Sequence, residues 1–412
     1  MIPAPEQQKP RSEEEGGTKL TGQYLSLLIA IQENPFGRLI DLARSTGMSK
    51  PTVAKRIREL QGENGGKRYF AIMPLLNYGR MGLTPIDVLL STPNLAALET
   101  LEAVARHHPY SAYRGRCFGS TNGLLMQFRV PEGTEGHLHS LVERLKENGI
   151  VDSAKFLSTN SNSTTHTSFR LSGWDPNSMT WDFNWHEWFA RMSEVQPNTR
   201  GRETEVPSVL RWLTRRDVLI INELMKGSRR KHSEIIASLK TRGVSITPKV
   251  FSQRMFMIRN ECIDGFRVTF DADAFDINTN LIIFGKSDRA YLQSLASNLK
   301  TNPIPFESTL RISDTELFWF IRLQPTHLSS VLTNLYASLS EMRVGLIDYN
   351  HSYVFHLWEE TFDPASRTWI GRPDFMVEQV LERSGIDCHG TNQVRAPQIR
   401  RLAQNQCPQK EN

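Results

Sequence analysis

Hydrophobic positions recur at helical spacing in two distant parts of the chain. In the first half they run from Leu27 to Ile31 and from Leu39 to Ala43. In the second half they run from Val218 to Leu224 and from Ile235 to Leu239. Apolar residues three and four positions apart share one face of a helix, so each stretch predicts a pair of amphipathic helices.

A turn and a capped third helix follow each pair. Gly47 can adopt a left-handed conformation, Ser49 can cap the next helix, and Pro51 suits its first turn. In the second half, Gly243 opens the turn, and Thr247 and Pro248 begin the helix. A short helix, a glycine turn and a capped helix predict a helix-turn-helix in each half.

The two third helices correspond at an offset of 198 residues. Their apolar stripes occupy matching positions: Val53, Ile57 and Leu60 in the first, and Phe251, Met255 and Ile258 in the second. Arg254 matches Arg56 in this register, whereas Lys55 is replaced by Gln253. Because the exposed faces differ, we expect the two helices to read different bases.

An alternation of strand and helix patterns follows each helix-turn-helix. Strands are predicted at 86–91, 110–116, 124–129 and 151–157, with helices at 95–107 and 135–148. The second copy gives strands at 280–284, 306–311, 317–323 and 344–349, with helices at 288–300 and 326–342. This order predicts an α+β fold: two winged helix-turn-helix domains, each followed by a ferredoxin-like βαββαβ sandwich.

Each copy ends in a similar sequence. Asp175-Pro176-Asn177-Ser178-Met179-Thr180-Trp181 reappears as Asp363-Pro364-Ala365-Ser366-Arg367-Thr368-Trp369. The repeat predicts seven segments: a disordered arm (1–18), the first winged helix-turn-helix (19–72), the first sandwich with its extension (73–182), an aromatic-rich linker (183–207), the second winged helix-turn-helix (208–270), the second sandwich with its extension (271–370) and a C-terminal tail (371–412).

Composition narrows the class of protein. With 412 residues, 39% hydrophobic and 23% charged, the chain is long enough for several domains and too apolar for general disorder. It contains no apolar run long enough for a membrane span and no signal peptide pattern, so we expect a cytoplasmic protein without a membrane partner.

Positive charge is concentrated in the two helix-turn-helix segments. Residues 19–68 contain nine Lys and Arg against four Asp and Glu, and residues 211–259 contain twelve against three. Since the whole chain carries +5, the remainder is acidic. This distribution is typical of phosphate-binding surfaces, although a solvated basic face would give the same pattern. The segment from Gly62 to Arg68 predicts a wing whose Lys67 and Arg68 meet backbone phosphates.

The run from Leu42 to Ile57, followed by Gly82-Leu83 and the sandwich pattern, resembles the Lrp/AsnC family of prokaryotic transcription regulators. The resemblance implies that the helix after Ser49 lies in the major groove of double-stranded DNA. By resemblance, the DNA-facing positions are Ser49, Lys50, Thr52, Lys55 and Arg56. In the second copy, the candidate positions are Thr247, Lys249, Ser252, Gln253 and Arg254.

In that family the sandwich mediates dimerisation and often binds an amino acid. The family's Gly and Asp in the turn between the second and third strands are replaced here by Gly119-Ser120-Thr121-Asn122 and Ser313-Asp314-Thr315-Glu316. This departure argues against an amino-acid effector and leaves a different small molecule open. Two copies in one chain predict an intramolecular pseudo-dimer, with a homo-oligomer as the alternative.

No cofactor, metal site or catalytic residue is expected from the sequence. The four cysteines lie far apart, and His107-His108, His137 and His139 lack acidic or thiol ligands at usable spacing. The motifs of nucleophilic hydrolases, phosphate-binding loops and dinucleotide-binding folds are absent from the sequence. The tryptophans between the copies are expected to pack against a sandwich, although aromatic rings can also stack on unpaired bases.

These patterns favour a DNA-binding transcription regulator that is not an enzyme. One alternative comes from the sirohaem decarboxylases, which also resemble Lrp/AsnC units and act as paired copies. They carry a His-Tyr-Arg run on the second strand of the sandwich, whereas Ser111-Ala112-Tyr113-Arg114 lacks the histidine. A second alternative is an adaptor whose winged helices contact only proteins.

Overall fold

The structure is a computed structural model that describes residues 20, 22–62, 67–157, 164–194 and 207–386. The predicted arm (1–18) and the tail beyond residue 386 lie outside the described residues. None of the helices within the described ranges is long and apolar enough to cross a membrane.

The fold class predicted from the sequence is confirmed, since the same order of elements occurs twice. The first copy comprises α1 Gly22–Glu33, α2 Leu39–Thr46, α3 Lys50–Leu60, β1 Phe70–Leu76, β2 Leu83–Ser91, α4 Leu95–His107, β3 Ser111–Gly119, β4 Gly123–Pro131, α5 Glu135–Glu147, β5 Ser153–Leu157, β6 Thr164–Thr167, β7 Trp174–Asp175, β8 Thr180–Trp181 and α6 Trp185–Ala190. The second comprises α7 Arg215–Met225, α8 His232–Thr241, α9 Pro248–Glu261, β9 Ile263–Phe270, β10 Thr279–Lys286, α10 Arg289–Thr301, β11 Ser308–Ile312, β12 Glu316–Leu323, α11 Leu328–Tyr336, β13 Ser340–Ile347, β14 Tyr353–Val354, β15 Phe362–Asp363, β16 Thr368–Trp369 and α12 Gln379–Arg383.

The caps of the two third helices form as predicted. The Ser49 hydroxyl accepts a hydrogen bond from the Thr52 amide at 3.3 Å, and the Thr247 hydroxyl accepts one from the Val250 amide at 3.4 Å. Gly47 has a φ of 68°, in the left-handed region that glycine adopts without steric cost. The caps therefore set the first residue of α3 and of α9.

A two-stranded ribbon joins the copies directly after their helix-turn-helix units. β1 pairs antiparallel with β9 from Phe70↔Phe270 to Leu76↔Ile263. The two strands are separated by almost 200 residues of sequence, and the ribbon was not predicted. It couples the two helix-turn-helix units through backbone hydrogen bonds.

The two sandwiches share one continuous sheet. Its strand order is β5-β2-β4-β3-β13-β10-β12-β11-β6, with β14 also paired to β3. Each copy therefore keeps the ferredoxin-like order, in which the fourth strand lies beside the first. Leu89, Cys117, Leu125, Ile282 and Phe318 belong to an apolar cluster to which both copies contribute.

Each helix-turn-helix shares a buried core with the sandwich of the other copy. The buried residues of α1 to α3 belong to one core with α10 and β12, whereas those of α7 to α9 belong to another core with α4 and α5. The repeated Asp-to-Trp hairpins also contact the opposite copy. Trp181 donates its indole N–H to the Phe275 carbonyl at 3.1 Å, and Trp369 donates to the Met81 carbonyl at 2.6 Å. The copies are thus interlocked by reciprocal contacts.

One predicted helix is much shorter than expected. The pattern indicated a helix over 326–342, but α11 ends at Tyr336 and β13 already begins at Ser340. β13 forms the join between the copies, because Gly345 pairs with Gly119 and Ile347 with Cys117. Pairing with a distant strand therefore overrides the local helical pattern.

Candidate nucleic-acid interface

The outward face of α3 carries exposed cations next to a capped helix start. Ser49, Lys50 and Lys55 are exposed, while Thr52 is half-buried. The Lys55 side chain is 73% exposed, and its ammonium lies 3.8 Å from the Glu59 carboxylate, one helical turn away. Val53, Ile57 and Leu60 occupy the opposite face and are buried. A cationic face of this kind suits the phosphates and base edges of a duplex.

Further cations lie on α2, which packs against α3. The side chains of Arg38 and Arg44 are about 80% exposed, and both share the carboxylate of Asp41. An exposed ion pair of this kind contributes little to stability, so these guanidinium groups remain accessible to an anionic partner.

Arg56, which was expected to face DNA, is half-buried. Its guanidinium donates to the Gln23 side-chain carbonyl and to the Met48 sulfur, and lies 5.1 Å from the centroid of the Tyr24 ring. These contacts tie α3 to α1. Arg56 is therefore a positioning residue for α3 in this structure.

Lys67 and Arg68 are exposed and have partners in the second copy, and their contact with backbone phosphates stays a prediction. The Lys67 ammonium lies 2.6 Å from the carboxylate of Asp271, and Arg68 donates to the Lys226 carbonyl at 3.0 Å. Burial and the neighbouring Arg230 lower the pKa of Arg68. Both cations join the first copy to the second beside the ribbon.

In the second copy, the outward face of α9 carries fewer cations than that of α3 and combines uncharged polar side chains with an aromatic ring. The candidate positions Thr247, Lys249, Ser252 and Gln253 are exposed. A shallow open groove runs along this face and is also lined by Phe256. Phe256 is 70% exposed on this face.

Arg254, which was expected to face DNA, is held inside the second helix-turn-helix. Its Nε donates to Asp217 Oδ1 at 2.6 Å, and its Nη2 donates to the Trp212 carbonyl at 3.0 Å. Asp217 is fully buried on α7. A buried carboxylate requires a charged partner, so Arg254 is committed to this pair.

Most of the Lys and Arg side chains in residues 211–259 contact other residues of the protein. The fully buried Glu223 accepts from Lys226 at 2.8 Å and from Arg230 at 2.7 Å. Arg229 donates to two backbone carbonyls of the first copy, and burial lowers its pKa. Other pairs are Arg215 with Glu360 and Arg242 with Glu359. The formal charge of this segment therefore overstates its phosphate-binding surface.

The second strand of the first sandwich carries the Tyr-Arg of the sirohaem-decarboxylase comparison. The hydroxyls of Tyr113 and Ser352 lie 2.8 Å apart, and both Arg114 and Arg116 pair with Glu102 on α4. The side chains of Tyr113 and Arg114 therefore both contact other residues of the protein.

A buried polar cluster connects the two sandwiches. Asp87 on β2 is fully buried, and its carboxylate lies 2.7 Å from Arg311 on β11 and 3.7 Å from Arg129 on β4. Gln127 donates to the same carboxylate at 2.6 Å. The Nε groups of Arg129 and Arg311 donate to no acceptor within the described ranges.

The aromatic residues between the copies pack against the second sandwich. Trp185 is buried and stacks on Phe306, while Trp188 donates its indole N–H to the Asn302 carbonyl at 2.7 Å. These rings therefore pack against the second sandwich, as the sequence predicted.

Neither described thiol is reactive. Cys117 and Cys262 are buried, which raises the pKa of each to about 12. The described residues contain no cluster of three or more His, Cys, Asp or Glu side chains suited to a metal ion. Cys388 and Cys407 lie outside the described residues.

Comparison with known proteins yields structures but no sequence relatives. Neither a family model nor a curated protein matches the chain. The crystal structure of the siroheme decarboxylase NirDL matches 82% of this chain and 96% of its own, at 13% identity and a TM-score of 0.42. An AsnC family transcriptional regulator from Agrobacterium tumefaciens matches 34% of this chain and 91% of its own, at 18% identity and a TM-score of 0.27.

A transcriptional regulator from Neisseria meningitidis, solved in complex with L-Met, matches 34% of this chain and 90% of its own, at 20% identity and a TM-score of 0.27. An AsnC family regulator is thus among the solved structures to which this chain is similar. These likenesses concern the fold alone.

The expectation that the chain is not an enzyme is contradicted by the first of these structures. NirDL is an enzyme, and the match spans most of both chains.

Proposed function

We propose that the protein is a sequence-specific DNA-binding transcription regulator in which one chain acts as a pseudo-dimer. The observation that carries this proposal is the exposed, capped and cationic face of α3 with Lys50 and Lys55. The apolar side of α3 is buried and Arg56 braces it against α1, so the helix is held rigidly with its cations outward. Rigid presentation lowers the entropic cost of binding.

The interlocked copies support the pseudo-dimer. The ribbon, the shared sheet and the exchanged cores hold both helix-turn-helix units within one folded body. A symmetric dimer would read two identical half-sites, whereas here α3 and α9 present different side chains. The proposed DNA site therefore has two different half-sites. A small-molecule effector is not required by this proposal.

The proposal is tested by replacing both Lys50 and Lys55 with Ala. Each cation that neutralises a phosphate contributes about 0.9 to the slope of log affinity against log salt concentration. We expect weaker binding to a selected duplex and a salt dependence reduced by up to about 1.8. Fluorescence anisotropy across a salt series measures both quantities.

A control for loss of a surface cation is Lys300→Ala, which removes one positive charge from an exposed position on α10. This variant should bind as the original chain does. Equal affinity and salt dependence for the Lys50/Lys55 variant would exclude α3 as the reader. If the original chain bound no duplex, a role in protein contacts would be favoured.

A second candidate function is an enzymatic one, of the siroheme decarboxylase kind. The buried polar cluster favours it, because the Nε groups of Arg129 and Arg311 have no hydrogen-bond acceptor among the described residues, and such donors suit a carboxylate-bearing ligand. Titration with sirohaem, followed by its visible absorption, tests this candidate. Saturable binding that is lost in Arg311→Met, without binding to duplex DNA, would replace the regulator proposal.

A further inference from the structure

The solvent-facing side of α9 places an aromatic ring among polar groups. Lys249, Gln253, Phe256 and Asn260 recur at helical spacing and are all exposed. Phe251, Met255 and Ile258 take the buried face, so Phe256 is not needed to attach α9 to its domain. Phe256 is 70% exposed, so a partner that covers it would remove apolar surface from water.

The position of Phe256 corresponds to a cation in the first copy. At the offset of 198 residues, Lys55 corresponds to Gln253 and Arg58 to Phe256. Both Arg58 and Phe256 are exposed on the third helix of a helix-turn-helix. The same outward position is thus charged in one copy and apolar in the other.

We propose that Phe256 packs against the C5-methyl group of a thymine in the second half-site, which makes it a specificity-determining residue. This inference rests on the proposed DNA-binding function. In the major groove, the thymine methyl is the apolar feature by which a base pair can be recognised. Gln253, one turn earlier, has the amide that can donate to and accept from an adenine edge.

The surroundings of the ring favour a duplex over a protein partner. Lys249 on the same face complements phosphate charge, whereas Gln253 and Asn260 interrupt the apolar surface around the ring. Val250 is exposed as well, at 36%, but lies nearly two helical turns before Phe256, and Met257 is half-buried. A single ring bordered by polar groups is smaller than the contiguous patches that mark protein interfaces.

The test uses deoxyuridine, which lacks the thymine methyl and keeps the base-pairing edge. Duplexes containing the selected site are compared with duplexes in which single thymines of the second half-site are replaced. We expect one replacement to weaken binding by the original chain about fourfold, the effect of exposing one methyl-sized group. In Phe256→Ala the same replacement should have no effect.

Two controls separate this inference from the function on which it rests. Replacing thymines in the first half-site should affect both proteins equally, and Phe256→Leu should retain part of the methyl effect. Since Phe256 is exposed, Phe256→Ala should unfold at the same urea concentration as the original chain.

Specific DNA binding without any methyl effect, or with equal effects in both proteins, would overturn the role of Phe256 and leave the regulator proposal intact. A lack of DNA binding by the original chain would overturn both. Binding of a protein through Phe256 without duplex binding would assign this face to a protein partner.

Discussion

At the scale of single residues, two arginines at corresponding positions brace their helices. Arg56 contacts α1 through Gln23 and Tyr24, and Arg254 contacts α7 through Asp217. Loss of the arginine should cost different free energies in the two copies. Gln23 is neutral and exposed, whereas Asp217 is charged and fully buried. The second contact should therefore matter more for stability.

Replacing Arg254 with Ala leaves the Asp217 carboxylate buried without its cation. We expect the free energy of unfolding to fall by about 3 kcal/mol, the magnitude seen when one partner of a buried ion pair is removed. Urea denaturation measures this change.

Adding Asp217→Asn should recover part of the loss, since the amide keeps an acceptor for the Thr214 cap without a charge. Lys240→Ala, at an exposed position on α8, serves as the control and should change stability by less than about 0.5 kcal/mol. A similarly small loss in Arg254→Ala would show that the pair does not hold α9 in place.

The candidate site was only partly predictable at this scale. Ser49, Lys50 and Lys55 lie on an exposed face because the apolar stripe of α3 determines which side is outward. The same stripe could not show that Arg56, Arg68 and Arg254 find acceptors on neighbouring elements. Long cationic side chains reach partners that only the tertiary structure brings near.

At the scale of secondary-structure elements, glycines of the first sandwich differ in the space available for a side chain. A Cβ on Gly123, at the start of β4, would lie 1.9 Å from the Leu90 carbonyl oxygen on β2. A Cβ on Gly136, in the first turn of α5, would meet no atom within 4 Å among the described residues. The same substitution should therefore have opposite effects.

Gly123→Ala is expected to destabilise the protein by about 3 kcal/mol, because backbone atoms of β2 would have to move. Gly136→Ala is expected to stabilise it by about 0.5 kcal/mol, because alanine restricts the unfolded chain and favours the helix. Thermal and urea unfolding of the two variants provide the comparison. Equal changes in the free energy of unfolding would mean that there is room for a side chain between Gly123 and the backbone of β2.

Element prediction succeeded where local signals were strong. The helix predicted over 95–107 coincides with α4, because apolar periodicity and the Asn94 cap agree. It failed for the β1–β9 ribbon and for the end of α11, where strands from different copies pair. Such pairings depend on contacts far apart in sequence, which local periodicity does not encode.

At the scale of the whole molecule, the copies behave as one interlocked body. The first helix-turn-helix shares its core with the second sandwich, and the second shares its core with the first. Trp181 and Trp369, which revealed the repeat in the sequence, donate to carbonyls of the opposite copy. Repetition was visible in the sequence, whereas the exchange became visible only in the structure.

Selection of duplexes from a random library by the purified full chain would show whether one chain recognises two unlike half-sites. We expect an enriched site with two unlike half-sites separated by about one helical turn, bound by one chain. The second half-site should contain a thymine at the position that Phe256 contacts. Enrichment of a perfect palindrome, or no enrichment at all, would contradict the account.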